Sequence, residues 1–385
     1  MEKISDYKEI IEIIKEKGGD SFKYCYQCGK CDAVCPWNIQ SRFSMRKLVR
    51  EATFGMTEIE GEDIWKCTTC GKCSQACPRD VKQVESGIAL RRIATEYGIY
   101  PPSVNPIRAI RSGLSGEGNP FFEDRMKRGD WAEGHGVKAF TKEMEILYYP
   151  GCYLSYDPRL KKVAIATANI LNKAGVKFGI LGSKENCCGE SIRKTGDEEL
   201  YVQLAKENIK TFIDNGVKRI LVSSPHCYHT FKNEYPEFMV HFEVVHIAQY
   251  ISELINNGRL KLTNTEFAKK VTYHDPCYLG RHNGIYDEPR NILNKIAGLE
   301  LKEMADYRED SLCCGGGGGR IWMDTPKGER FSDIRLDQAV EAGAEVLATS
   351  CPYCIANFED SLLSHKHRDD LVIKDITEII QEAIA

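Results

Sequence analysis

Two runs of four cysteines with the same spacing constrain this chain more than any other feature. Cys25, Cys28, Cys31 and Cys35 follow C-x2-C-x2-C-x3-C and run into Pro36, and Cys67, Cys70, Cys73 and Cys77 repeat the pattern and run into Pro78. Three thiolates spaced in this way on a tight loop reach three corners of a [4Fe-4S] cube, while the fourth cysteine of each run reaches over to the other cluster. The expected ligand sets are therefore crossed: Cys25, Cys28, Cys31 and Cys77 for one cubane, and Cys67, Cys70, Cys73 and Cys35 for the other. Structural zinc sites pair two C-x2-4-C units or add histidines, a pattern that two identical quartets with proline do not follow.

The remaining composition narrows the function classes. The chain has 385 residues, 17 of them cysteine, a length that suggests about two to four domains. In a reducing cytoplasm these thiols stay reduced, so metal is the economical reason for keeping them. Basic residues (52) nearly balance acidic ones (56), and no basic stripe marks a nucleic-acid partner. No apolar run approaches the ~20 residues of a membrane-spanning helix. The first 19 residues carry charges throughout and no apolar stretch of signal-peptide length. The expected location is the cytoplasm, with any membrane association made through a partner protein.

Between the quartets, residues 41–54 place apolar side chains near helical spacing and stop at Gly55, which predicts a helix of about three turns. Ile4, Tyr7, Ile10, Ile11 and Ile14 before the first quartet, and Val84, Ile88, Leu90 and Ile93 after the second, predict flanking helices. Residues 1–100 thus read as a helical double-cluster ferredoxin domain. Residues 101–145 turn to Pro101, Pro102, Pro106 and repeated glycines and read as a long linker.

The other nine cysteines fall into two sets that align on each other. Cys152, Cys187-Cys188-Gly189 and Pro225-His226-Cys227 match Cys277, Cys313-Cys314-Gly315 and Cys351-Pro352-Tyr353-Cys354. The spacings from lone cysteine to pair are 35 and 36 residues, and those from pair to last cysteine are 39 and 40. This is an internal repeat of about 125 residues, with modules expected at 146–265 and 266–385. In each copy an apolar strand leads to the lone cysteine and another to the last ones. That alternation implies βαβ units with a parallel sheet and cysteines gathered at strand ends. The expected fold is α+β and multidomain, a helical ferredoxin followed by two α/β modules.

The repeat resembles the cysteine-rich CCG modules of the B-type subunits of heterodisulfide reductases, and the ferredoxin in front resembles their C-type subunits. The fusion is similar to the D-type subunits of membrane-linked heterodisulfide reductases and to the related catalytic component of the membrane complex serving dissimilatory sulfite reduction. The resemblance implies that a complete module binds a noncubane [4Fe-4S] cluster through five cysteines, which here match Cys277, Cys313, Cys314, Cys351 and Cys354. The first module departs from it, because Ser224 stands where the second has Cys351. A hydroxyl is a poor iron ligand beside a thiolate. Cys152, Cys187, Cys188 and Cys227 are then compatible with an altered cluster, a cubane, a zinc ion or an empty site.

The expected activity is that of an iron-sulfur oxidoreductase subunit. Single electrons pass through two cubanes to the noncubane cluster, which reduces, or in reverse forms, a disulfide of thiol substrates. The alternative is a noncatalytic relay between a flavoprotein or membrane cytochrome and another oxidoreductase, as in iron-sulfur subunits of glycerol-3-phosphate, glycolate and lactate dehydrogenases or benzoyl-CoA reductase assemblies. A redox-sensing protein would need none of the eight ferredoxin cysteines. His226, His229 and His274 are candidate proton donors, each near a module cysteine. Tyr153, Tyr278 and Tyr353 are candidate walls of a thiol pocket. The run Gly315–Gly319 lacks the Lys-Ser/Thr of a phosphate loop, so it is expected to bring backbone amides close to a cluster. No G-x-G-x-x-G or C-x-x-C-H is present. Electrons must then come from other redox proteins, a flavoprotein, a hydrogenase or a membrane cytochrome b, in a hetero-oligomer suited to anaerobic conditions.

Overall fold

A computed structural model describes residues 3–55, 59–262 and 267–384. Ile4 and Tyr7, counted above toward the first helix, lie outside the residues whose side chains are described. The chain divides into two compact units. One consists of Met1–Ala109, Ser191–Tyr201 and Gly315–Phe331, and the other of Ile110–Glu190, Val202–Cys314 and Ser332–Ala385.

The first unit is helical. Helices Lys3–Gly18, Met45–Phe54 and Gln83–Glu96 surround the short helical turns Lys30–Ala33 and Lys72–Gln75 that carry the middle cysteines. The inter-quartet helix starts at Met45 rather than Ser41. Ser44 is extended and its Oγ accepts the Lys47 amide at 3.0 Å, which makes it the cap. Gly55, with φ of 67°, ends the helix as expected. The two cysteine loops share one backbone: Gln27 and Thr69 have φ of 64° and 53°, and Gly29 and Gly71 have φ of 83° and 78°. Equal spacing therefore gives equal loops, even at the cost of placing a β-branched threonine in the left-handed region.

Arg91, on the helix after the second quartet, is fully buried. Its guanidinium donates to the carbonyls of Ile64 (2.7 Å), Cys67 (2.6 Å), Lys194 (3.0 Å) and Gly318 (2.8 Å). One side chain thus joins the second cysteine loop to the two later segments of the same unit. The glycine run explains itself here in a way its sequence does not suggest. A Cβ on Gly317 would overlap the Thr68 carbonyl, and one on Gly318 the Cys67 carbonyl. The side chains are excluded by peptide groups of the second quartet's loop.

The second unit contains two parallel sheets. In the first module β1 (Lys138–Ala139), β2 (Ile146–Tyr149), β3 (Phe178–Ile180), β4 (Arg219–Val222) and β5 (Glu243–His246) lie in the order β1-β3-β2-β4-β5. In the second, β6 (Lys270–Tyr273), β7 (Glu300–Leu301), β8 (Val346–Thr349) and β9 (Val372–Asp375) lie in the order β7-β6-β8-β9. Leu147 pairs with Ile220 and Val271 with Val346, so the central strands of both copies run side by side. β2 and β8 are buried along their whole length, as parallel strands covered on both faces require. In each sheet the chain leaves the first central strand to one side and returns on the other, which puts a switch point between β2 and β4 and between β6 and β8. Ligands in such sheets bind at the carboxyl ends of the strands flanking that point, and there the chain delivers its cysteines.

The stretch read as a linker is structured. It holds the helix Asn105–Glu117 and supplies β1, whose Lys138 and Ala139 pair with Gly179 and Ile180. Its apolar residues are sparse but buried, Ile107, Ile110 and Leu114 on one side of the helix and Trp131 and Phe140 beyond it, and Asn119 and Arg128 are buried as well at 0% and 1% exposure.

Candidate metal centres and the rings between the modules

In the first unit the cysteines of the two quartets interleave. Burial pushes the Cys35 thiol up, and the charges of Cys70 and Cys67 add to the effect, so Cys35 sits among cysteines of the other run. Burial likewise raises Cys73 well above its ordinary range, with contributions from Cys67, Cys70 and Cys35. Cys31 is pushed up to about 12 by burial and by Asp32. Tyr26, hydrogen-bonded to Cys28, also feels Cys77. Crowded thiols that resist losing protons to water are the donor set that a metal centre deprotonates on binding. The residues fit the group expected of them.

In the first module a line of hydrogen bonds links Cys152 to Cys187, Cys187 to Cys188 and Cys188 to Cys227. The Ser224 hydroxyl, in place of a thiol, donates to Cys227. Arg128 closes the site: two of its nitrogens lie 3.6 and 3.7 Å from Cys152 Sγ, and it bonds Glu185 Oε1 at 2.6 and 2.9 Å. Both partners are 1% exposed. A buried ion pair beside a cysteine is costly unless fully bonded, so this pair places a fixed dipole against the thiol row. Sequence reasoning missed Arg128, one of three bases within Arg125–Arg128, because its acid lies 57 positions away.

In the second module Cys277, Cys313, Cys314, Cys351 and Cys354 are all buried, none more than 6% exposed. Cys354 Sγ is 3.3 Å from Cys314 Sγ. A ring nitrogen of His274 and these two sulfurs lie within 4.8 Å of one another, a grouping able to hold a metal ion. Burial holds His274 well below its ordinary range, which keeps it neutral. Cys351 differs from its neighbours. Burial opposes its thiolate, but hydrogen bonds from Cys354 and His226 prevail and bring it down to about 5.

His226 belongs to the first module. Its ring is sandwiched between Tyr278 and Tyr353, each with centroids at 4.3 Å and interplanar angles of 32° and 30°. Tyr353 in turn meets Tyr153 edge-on at 5.0 Å. The four rings alternate between modules and occupy matching places in the repeat: Tyr153 and Tyr278 follow the lone cysteines, and His226 and Tyr353 precede the last ones. Nδ1 of His226 lies 3.0 Å from Glu190 Oε1. Burial disfavours charge on this ring, but Glu190 and Cys351 outweigh it and raise it to about 10. His229 stands edge-on to Tyr278 at 5.1 Å, beside His282 at 5.3 Å. Of the three histidines singled out in the sequence, two thus stand against second-module cysteines, and the three tyrosines line the same place.

Comparison with known proteins agrees with this division. A cysteine-rich domain family matches residues 146–232 and 271–359, and a 4Fe-4S dicluster domain family matches residues 21–81. The D-type subunit of the dihydromethanophenazine:CoB–CoM heterodisulfide reductase of Methanosarcina mazei is 32% identical over 390 residues, covering 94% of this chain and 93% of its own. The chain belongs to the family of D-type heterodisulfide reductase subunits. Other members of this wider group are longer. The EtfAB:quinone oxidoreductase of Syntrophomonas wolfei is 39% identical over 280 residues, and a probable iron-sulfur-binding oxidoreductase, FadF, of Bacillus subtilis is 40% identical over 286 residues. The chain covers 39% and 40% of their respective lengths. The dicluster match spans all eight cysteines of the two quartets, which marks them as [4Fe-4S] sites. Among the described residues no helix is long and apolar enough to cross a membrane.

Proposed function

We propose that this protein relays single electrons through two cubane [4Fe-4S] clusters, on the crossed ligand sets given above, to a noncubane [4Fe-4S] centre on Cys277, Cys313, Cys314, Cys351 and Cys354. There the disulfide of a thiol substrate is reduced or, in reverse, formed. The observation that carries this reading is the meeting of the buried second-module cysteines Cys314, Cys351 and Cys354 with a histidine of the first module at Cys351. When bound, the clusters supply electrons one at a time, which matches the two-electron disulfide couple only in two successive steps. The protein's own groups supply the rest. His226 donates a hydrogen bond to the Cys351 sulfur, Glu190 fixes the ring's orientation from the other side, and Tyr278 and Tyr353 exclude water from both its faces. Ser224 removes the fifth thiol from the first module, so the paired use of two equal centres is replaced by one complete centre and one donor histidine. Electrons come from a flavoprotein, hydrogenase or membrane cytochrome b partner in a hetero-oligomer, on the cytoplasmic side.

A second reading is favoured by the same Ser224 and by the name of the EtfAB:quinone oxidoreductase relative: a relay between a flavoprotein and a quinone-linked partner, without thiol chemistry. Electron paramagnetic resonance on anaerobic, oxidised protein mixed with small thiols separates the two. The catalytic reading expects a new thiol-dependent signal, and reduced-cubane signals alone would leave only the relay. His226→Phe sharpens the test, since it keeps a ring between the tyrosines but removes the donor. Loss of a group hydrogen-bonded to a metal ligand typically costs about 10- to 100-fold. Disulfide turnover should fall by that factor with iron content unchanged, and full turnover in the variant would remove His226 from the chemistry.

A further inference from the structure

The two ferredoxin loops share a backbone but not an environment. Cys67, Cys70 and Cys73 are each 8% exposed, whereas Cys28 of the first loop is open to solvent. Two tyrosines precede it within four residues, Tyr24 at 56% and Tyr26 at 59% exposure. Tyr26 is hydrogen-bonded to Cys28 and lies close enough to Arg79 and Cys77 to feel both charges. Exposed tyrosines of this kind are the residues most enriched at the centres of protein interfaces.

The charges around Cys28 are unbalanced. Asp20 is matched by Lys23 at 2.7 Å, Asp32 by Arg46 at 3.6 Å and Asp80 by Lys82 at 2.5 Å. Lys30 and Arg79 are exposed and have no ion-pair partner among the described residues. Each of these acids is thus spoken for, and two positive charges remain, Lys30 two residues beyond the exposed Cys28 and Arg79 close to Tyr26. The second loop offers no comparable surface, since Cys67, Cys70 and Cys73 are buried and Gly317 and Gly318 of the same unit lie against the carbonyls of Thr68 and Cys67.

We propose that Tyr24, Tyr26, Lys30 and Arg79 form the docking face of an acidic one-electron carrier protein, and that electrons enter the chain through Cys28. The proposal rests on the reading that Cys25, Cys28, Cys31 and Cys77 hold a cubane. The step itself is simple: the carrier's reduced centre loses one electron, the cubane gains it, and no bond is made or broken. Contacts between redox proteins are small and transient, so charge complementarity acts mainly on the association rate and weakens with salt.

The experiment uses the full chain with its clusters, mixed anaerobically in a stopped-flow instrument with a pre-reduced acidic [2Fe-2S] ferredoxin. Dithionite serves as a small reductant that needs no docking. The second-order rate with ferredoxin should fall steeply with added salt. In the Lys30→Glu/Arg79→Glu variant it should fall about 10-fold and lose most of its salt dependence, with Lys30→Gln/Arg79→Gln in between and the dithionite rate unchanged in all three proteins. A charge-reversed variant reduced by ferredoxin at the original rate, or one that keeps the original salt dependence, overturns the docking face. Failure of dithionite to reduce any cubane in the unaltered protein would instead sink the cluster reading on which it stands.

Discussion

A Cys351→Ser protein purified without oxygen should carry about four fewer irons per chain than the unaltered protein, keep the paramagnetic signals of its reduced cubanes, and lose disulfide turnover by more than about 100-fold. The size of the effect follows from where Cys351 stands. It is 1% exposed, caps the helix Pro352–Leu362, and has surroundings that favour the thiolate where those of Cys354 oppose it. Serine in its place has a hydroxyl that keeps its proton at neutral pH and binds iron poorly. The chain already contains the control at the equivalent place, Ser224, whose hydroxyl turns to Cys227. Iron analysis and quantitative spin counting check the result. A Cys351→Ser protein with unchanged iron and turnover would show that the second-module centre does not depend on this sulfur.

The second large effect is on stability. Arg91→Leu strands the carbonyls of Ile64, Cys67, Lys194 and Gly318 inside the first unit. Each buried acceptor left without a donor costs about 1–3 kcal/mol, so the variant should lose on the order of 5 kcal/mol after partial relaxation. Urea unfolding measures this, and limited proteolysis should find new cleavage within 191–201 and 315–331. Arg91→Lys restores little, because a point charge on a flexible stem does not serve four acceptors in the fork geometry of a guanidinium. A shift below about 1 kcal/mol in the leucine variant would mean that water replaces the lost donors.

Most of the architecture was legible because it repeats. The cysteine spacing announced two equal loops, and the second set of spacings announced two equal modules. Strands such as 146–149 and 346–349 stood out as short apolar runs. What escaped was polar and remote. Arg128 lies in a stretch whose composition reads as solvated, and its burial is decided by Glu185 and Cys152, far along the chain. Arg91 looks like one more base on an amphipathic helix until its acceptors are known. The reason for the glycines at 317 and 318 lies in the peptide groups of Cys67 and Thr68, some 250 residues earlier. His226 was named for its place beside Cys227, and its sandwich between two tyrosines of the other module could be seen only once the repeats were folded together. Local pattern carries the elements and the ligands, while long-range polar contacts carry the coupling between them.

The discontinuity of the first unit sets an order of events during synthesis. All eight ferredoxin cysteines have been translated by residue 77, yet the unit is complete only when Phe331 has been added. At a translation rate of about 5–20 residues per second that interval lasts roughly 13 to 50 s. Throughout it the carbonyl of Cys67 lacks the segment bearing Gly318, and the second loop stands open to whatever delivers iron and sulfide, or to oxygen. Cluster loading in the nascent chain therefore has a natural time window, and the glycine run, emerging last, is the piece that shuts it.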